Sequence, residues 1–153
     1  MKYLGIVLLN LSWAAAGFSY AYRLKKKCIV ANELVEMCSL MAIELEFSVN
    51  ESMKIINRLC NEPTLSHLSF LKNFSFENIS IKTELDSADN ERINFLFKNI
   101  GKTDSLSMLN LLEGFKQNMI ESRNRYENYY KNHSKLYIVF GIFGSLAVTL
   151  VLI

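Results

Sequence analysis

Apolar residues are distributed along this chain in two ways. At the ends they run on without a single charged residue, Tyr3–Tyr22 and Leu136–Ile153. Between those runs they recur at steps of three and four among charged positions, the spacing of one helix face. A helix rises about 1.5 Å per residue, so the end runs reach roughly 30 and 27 Å, enough to cross a hydrocarbon core.

The middle reads as helical throughout. Val30, Leu34, Met37, Met41 and Leu45 form one stripe, flanked by Glu33, Glu36, Glu44 and Glu46. No breaker lies between Tyr22 and Ala31, so this helix is expected to run straight out of the first apolar run. Asn50 suits the N-cap of a second helix carrying Met53, Ile56 and Cys60 inward. Pro63, the only proline, suits the first turn of a third helix burying Leu65, Leu68, Leu71 and Phe74. Over Ser75–Ser87, the residues Phe76, Ile79, Ile81 and Leu85 fit either a short amphipathic helix or an irregular packed connection. Ser87 or Asp89 then starts a helix with Ile93, Leu96, Phe97 and Ile100, ended by Gly101 in the left-handed conformation. Thr103 or Asp104 caps the last helix. Its stripe is Leu106, Leu109, Leu112, Phe115, Met119, Tyr126 and Tyr130, and it continues into the second apolar run as one rod of roughly 70 Å.

The expected fold is therefore all-α: a cytosolic helical bundle, residues 23–135, flanked by an N-terminal transmembrane helix, residues 1–22, and a C-terminal one, residues 136–153. Charge sets the orientation. Arg23, Lys25, Lys26 and Lys27 follow the first run, and Lys131, His133 and Lys135 precede the second. Basic residues beside a membrane helix mark its cytoplasmic side, so both clusters place the middle segment in the cytoplasm. A secretory signal is the rival reading of the N-terminus, with Ala14–Ala16 as its cleavage region. Against it, the apolar run continues past the alanines to Tyr22 and ends on a cationic cluster.

The middle segment of about 110 residues is one ordinary domain. Net charge is only +2 and all fifteen acidic residues lie between the end runs, so no basic face for nucleic acid is expected. Cys28, Cys38 and Cys60 have no repeated short spacing and read as reduced thiols in a cytosolic domain. No Cys-x-x-Cys or His-x-x-x-His completes a metal site with Cys60 and His67, and no phosphate loop, dinucleotide fingerprint or Gly-x-Ser-x-Gly elbow is present. Glu44 and Glu46 point about 200° apart on a helix and cannot act as a catalytic pair. No catalytic residue, metal ligand or cofactor is expected. Glu33, Glu36 and Glu44 are instead the candidate docking face for a protein partner, on the side of their helix away from Leu34, Met41 and Leu45.

The order of landmarks resembles the stage III sporulation protein AB family of endospore-forming bacteria. The carrying residues are Gly17–Phe18 and Ala21–Leu24 at the end of the first run, then Glu44–Phe47. Ile100–Asp104 matches the family's Leu-Gly-x-Ser-Asp turn, and Lys135, Tyr137, Gly141 and Gly144 match its Lys-x-Tyr and glycine pattern. Two positions depart from it: Asn50–Ser52 replaces a Thr-Pro-Leu helix start, and Met108 replaces a glutamine. The resemblance implies a non-enzymatic platform or adaptor in the mother-cell membrane around the forespore. It would be part of a secretion-like complex, with a cytosolic domain similar to that of the type II secretion platform protein. It implies as partners the secretion-type ATPase stage III sporulation protein AA and other subunits of that complex. Two other classes remain: a membrane-anchored sensor or scaffold that dimerises through the helix over Asp104–Lys135, and a membrane-bound enzyme using a cysteine such as Cys60.

Overall fold

The computed structural model describes residues 2–47, 52–75 and 79–152. Helix α1 spans Lys2–Phe47, α2 spans Ser52–Cys60, α3 spans Ser87–Asn99 and α4 spans Ser105–Leu152. Two 3₁₀ turns, Pro63–Leu65 and Ser69–Asn73, lie between α2 and α3, and no strand occurs among the described residues. The chain is all-helical and forms two compact units, Met1–Cys28 with Arg125–Ile153, and Ile29–Asn124.

The first unit is an antiparallel pair made by the start of α1 and the end of α4. Its backbones touch at two glycines. A Cβ on Gly17 would sit 2.7 Å from the carbonyl oxygen of Tyr137, and one on Gly141 would sit 3.3 Å from the Cα of Gly17. Gly17 with Ala21, and Gly141 with Ser145, are small residues four apart, the spacing that lets apolar helices approach closely. The Tyr20 and Tyr137 rings meet at 4.4 Å between centroids. Farther along, the Asn10 side-chain amide donates to the Thr149 hydroxyl at 2.7 Å. Leu8, Leu11, Phe18, Phe140, Phe143 and Leu150 are left exposed. Among the described residues one helix, α4, is long and apolar enough to cross a membrane, and only 11% of its most apolar stretch is buried.

The second unit has an ordinary core. Val30, Leu34, Met37 and Met41 of α1 are buried as the stripe requires, joined by Ala31 and Cys38, while Leu45 is half-buried. In α2 the buried residues are Ile55, Ile56 and Leu59, with Cys60 half-buried. Asn50 lies outside the described residues, as does the side chain of Met53.

The segment after Pro63 differs from the expected α-helix. Leu65, Leu68 and Leu71 are buried, but by 3₁₀ geometry. Their amides donate three residues back, Leu65 to Glu62, Leu68 to Leu65 and Leu71 to Leu68, at 3.0–3.1 Å. A 3₁₀ helix has three residues per turn, so an apolar spacing of strictly three keeps one face only in that form. Phe70 and Phe74 close on Phe97 of α3, with centroids at 5.4 and 5.1 Å.

Of the alternatives for the next segment, residues 79–86 form an irregular packed connection, with Ile81 and Leu85 buried. Two asparagines one turn apart on α3 take its backbone groups. Asn94 accepts from the Ile81 amide at 2.8 Å and donates to the Ile81 carbonyl at 2.7 Å. Asn90 accepts from the Thr83 amide at 2.7 Å and donates to the Leu85 carbonyl at 2.8 Å. Helix α3 starts at Ser87 with Asp86 as N-cap, and buries Ile93, Leu96, Phe97 and then Ile100.

Gly101 follows with φ 78°, the positive value its place at the helix end requires. Asp104 caps α4, its carboxylate accepting from the Ser107 amide at 3.1 Å. The stripe of α4 keeps the expected Leu112, Phe115, Met119 and Tyr126 but differs at its start. The buried positions are Met108, Leu112, Phe115, Met119 and Ser122, whereas Leu106 is 70% exposed and Leu109 half-buried. The observed steps of four, three, four and three are regular, but they pass through a serine and bypass two leucines.

Candidate interaction surfaces

The three acidic residues expected to form a docking face all lie on α1, but two of them are engaged within their own unit. Glu33 is buried in α1, because the loop after the first 3₁₀ turn folds over it. Its carboxylate accepts from the His67 backbone amide at 2.9 Å and contacts the ring Nδ1 at 2.5 Å. Glu44 is half-buried and paired with Arg58 of α2 at 2.6 Å. Glu36 is half-buried between them along the helix. Two of the three carboxylates thus hold α1 to other parts of the same unit.

A fourth acid, unremarked in the sequence except as a helix start, is fully buried. Asp89 of α3 accepts from the Ser122 hydroxyl of α4 at 2.9 Å and from Arg92 at 3.0 Å. A buried carboxylate needs such donors to remain in place. Its signal in the sequence was periodicity: Asp89 lies one turn before Ile93, on the buried face.

None of the three thiols is shifted toward the thiolate. Burial pushes Cys38 up to about 12. Burial also raises Cys28, helped by the neighbouring Glu127 carboxylate. Cys60 is raised by burial as well, and its sulfur donates to the Leu71 carbonyl at 3.0 Å. Among the described residues no group of three or more His, Cys, Asp or Glu is placed to hold a metal ion.

Two surfaces remain. The first is the basic end of the helix pair. Tyr20 meets Tyr137 on one side of this level, and Lys27 lies over the Tyr126 ring at 5.5 Å on the other. Arg23–Lys27 and Lys131–Lys135 therefore come together at the same end of the pair. His133 stacks on Tyr129 there, with centroids at 4.0 Å.

The second surface is a cleft of about 700 Å³ between α3 and α4. Phe95, Leu96, Leu111 and Phe115 give it apolar walls, with Glu91, Arg92, Asn110 and Asn118 around them. Gly114 lies in the same wall, and a Cβ there would meet nothing within 4 Å. Phe95 is 61% exposed. Sequence reading missed this cleft because Phe95 falls between core positions of α3 and Gly114 lies off the α4 stripe.

Compared with known proteins, the chain matches no family model, no curated protein and no solved structure.

Proposed function

We propose that this chain is a membrane-anchored adaptor whose central unit couples a cytosolic ATPase of the secretion type to a membrane assembly. The observation that carries the anchoring is the helix pair. Its exposed apolar side chains suit lipid as a solvent, and its backbones pack through glycines as helices do where no hydrophobic force draws them together. Both basic clusters lie at one end, where the positive-inside rule places the cytoplasm. The two apolar runs then both span the membrane, and the central unit is cytosolic.

A protein-binding role rather than catalysis is supported by the thiols, all shifted away from the reactive form. A sensor dimerising along the whole α4 stripe is less well supported, because Met108, Leu112, Phe115 and Met119 are already buried within one copy. The ATPase partner rests on the resemblance of Ile100–Asp104 and the chain ends to the sporulation family. If it docks electrostatically, Glu33 is not available to it, since His67 occupies that carboxylate.

The test is affinity purification of the full-length chain from sporulating-cell membranes, with an impermeant thiol reagent applied to intact cells in parallel. A secretion-type ATPase should copurify, and Cys60 should be protected from outside. Labelling of Cys60 from outside would reverse the topology. Protection without any ATPase in the eluate would leave the anchor and remove the motor.

A further inference from the structure

Helix α3 has two unlike faces. Asp89, Ile93, Leu96 and Phe97 point into the unit, while Glu91, Phe95 and Lys98 are exposed. At about 100° per residue those three fall within roughly 60° of one another, so they form a single outward line with an aromatic ring between opposite charges. Among the described residues neither Glu91 nor Lys98 makes an ion pair within its own copy, whereas Arg92 beside them is held by Asp89.

We propose that this line is a self-association surface, on which a second copy of the chain docks antiparallel, α3 against α3. Glu91 and Lys98 lie equally far on either side of the peptide bond between Asn94 and Phe95. A two-fold axis through that bond sets Glu91 of each copy against Lys98 of the other, twice. A parallel arrangement sets glutamate on glutamate and lysine on lysine, so the charges themselves choose the antiparallel one. The pairing is isologous and closes at two copies.

Phe95 then stands beside the axis, at the centre of the contact, where an aromatic side chain contributes most. The α3–α4 cleft adjoins it in each copy, with apolar walls and open space over Gly114. That space receives the partner's ring, and Glu91 and Lys98 form a charged rim around it. Two short helix faces bury less than the roughly 1,600 Å² of a standard interface, so the dimer is weak in solution. Anchoring both copies in one membrane raises their effective concentration and makes a weak contact sufficient. The proposal concerns the central unit's own surface and does not depend on the identity of the motor.

The test is sedimentation equilibrium of the full-length chain in density-matched detergent micelles. Wild type should dimerise reversibly, less so as salt is raised. Glu91→Lys and Lys98→Glu should each weaken the dimer about tenfold or more, because each turns two attractions into two repulsions. An equimolar mixture of these two variants should recover wild-type association, since every cross-contact is again opposite in charge. Phe95→Ala should weaken association without affecting the salt slope. All three side chains are exposed, so helicity should be unchanged by circular dichroism. A monomeric wild type on the order of 100 μM, single variants that associate like wild type, or a mixture no better than its components would each overturn the proposal. The second of those outcomes would place self-association on the helix pair instead.

Discussion

Replacing Asn94 by alanine isolates the interaction that replaces secondary structure over residues 79–86. The side-chain amide satisfies both the N–H and the C=O of Ile81, at 2.8 and 2.7 Å, and Ile81 is 7% exposed. Alanine leaves both backbone groups without these partners in a region water reaches poorly. An unsatisfied buried group costs about 1–3 kcal/mol. Partial access of water through the exposed Ser80 lowers the total for two groups to about 2–4 kcal/mol. A domain of this size has about 5–15 kcal/mol in all, so the variant should fold but melt about 10–20 °C lower. Asn99→Ala is the control, because the Asn99 side chain donates to the Phe95 carbonyl one turn back, at an exposed site. It should shift melting by no more than a few degrees. Hydrogen exchange localises the effect: protection should fall first at Ile81 and Thr83, before the α3 core opens. Equal melting of the two variants, or loss of protection spread evenly over the unit, would refute the view that this segment is held by side-chain amides.

The altered start of the α4 stripe makes a paired prediction. Leu112→Asp buries an unpartnered charge, at a cost of several kcal/mol, and should unfold the central unit in a thermal melt, whereas Leu106→Asp, at a position 70% exposed, should leave melting within a few degrees of wild type. Gly101→Val should destabilise more than Gly101→Ala, and both more than Ser105→Ala, because φ at this position is 78° and a β-branched side chain is poorly tolerated there. Cys38 should resist alkylation at pH 8 until denaturant is added. Its folded pKa of about 12 lies above the ordinary 9.0, so the folded state prefers the neutral thiol. That preference is fully present below about pH 9 and is lost as pH rises toward the folded value, and a Cys38→Ala variant should show a flatter alkaline stability profile.

Helix existence was legible in the sequence because the core of the central unit is a periodic problem. Ile93, Leu96, Phe97 and Ile100 recur as an amphipathic helix must, and Gly101 and Asp104 mark the turn by chemistry that few other residues supply. What was not legible came from polar side chains doing structural tasks. Asn90 and Asn94 look like surface residues until the connection they hold is placed beside them. Glu33 looks like part of an acidic face until His67 arrives from a segment thirty-four residues away. Ser122 carries no apolar signal, yet it sits in the α4 stripe because Asp89 faces it. The strict three-residue spacing of Leu65, Leu68 and Leu71 reads as a helix in the sequence, and only the structure shows it to be 3₁₀ rather than α, a geometry in which that line does not turn around the axis.

The two units obey different rules for the same residue types, and this is why a single stripe criterion reads one and not the other. In the central unit a leucine signals an inward position: Leu34, Leu96 and Leu112 are all below 2% exposed. In the helix pair leucine is an outward residue, as at Leu8, Leu11 and Leu150, and the inward positions go to Gly17, Ala21 and Gly141. Water drives the first arrangement by excluding apolar surface. Under the proposed membrane anchoring the pair lies in lipid, where that drive vanishes because tails are as apolar as leucine, and contact is decided by how closely backbones approach and which polar groups remain to be paired. The Asn10–Thr149 bond fits the second rule, a polar pair turned toward the partner helix rather than away from it. The sequence feature that identifies the pairing face is therefore small and polar residues four apart within an apolar run, with phenylalanine and leucine marking the opposite side.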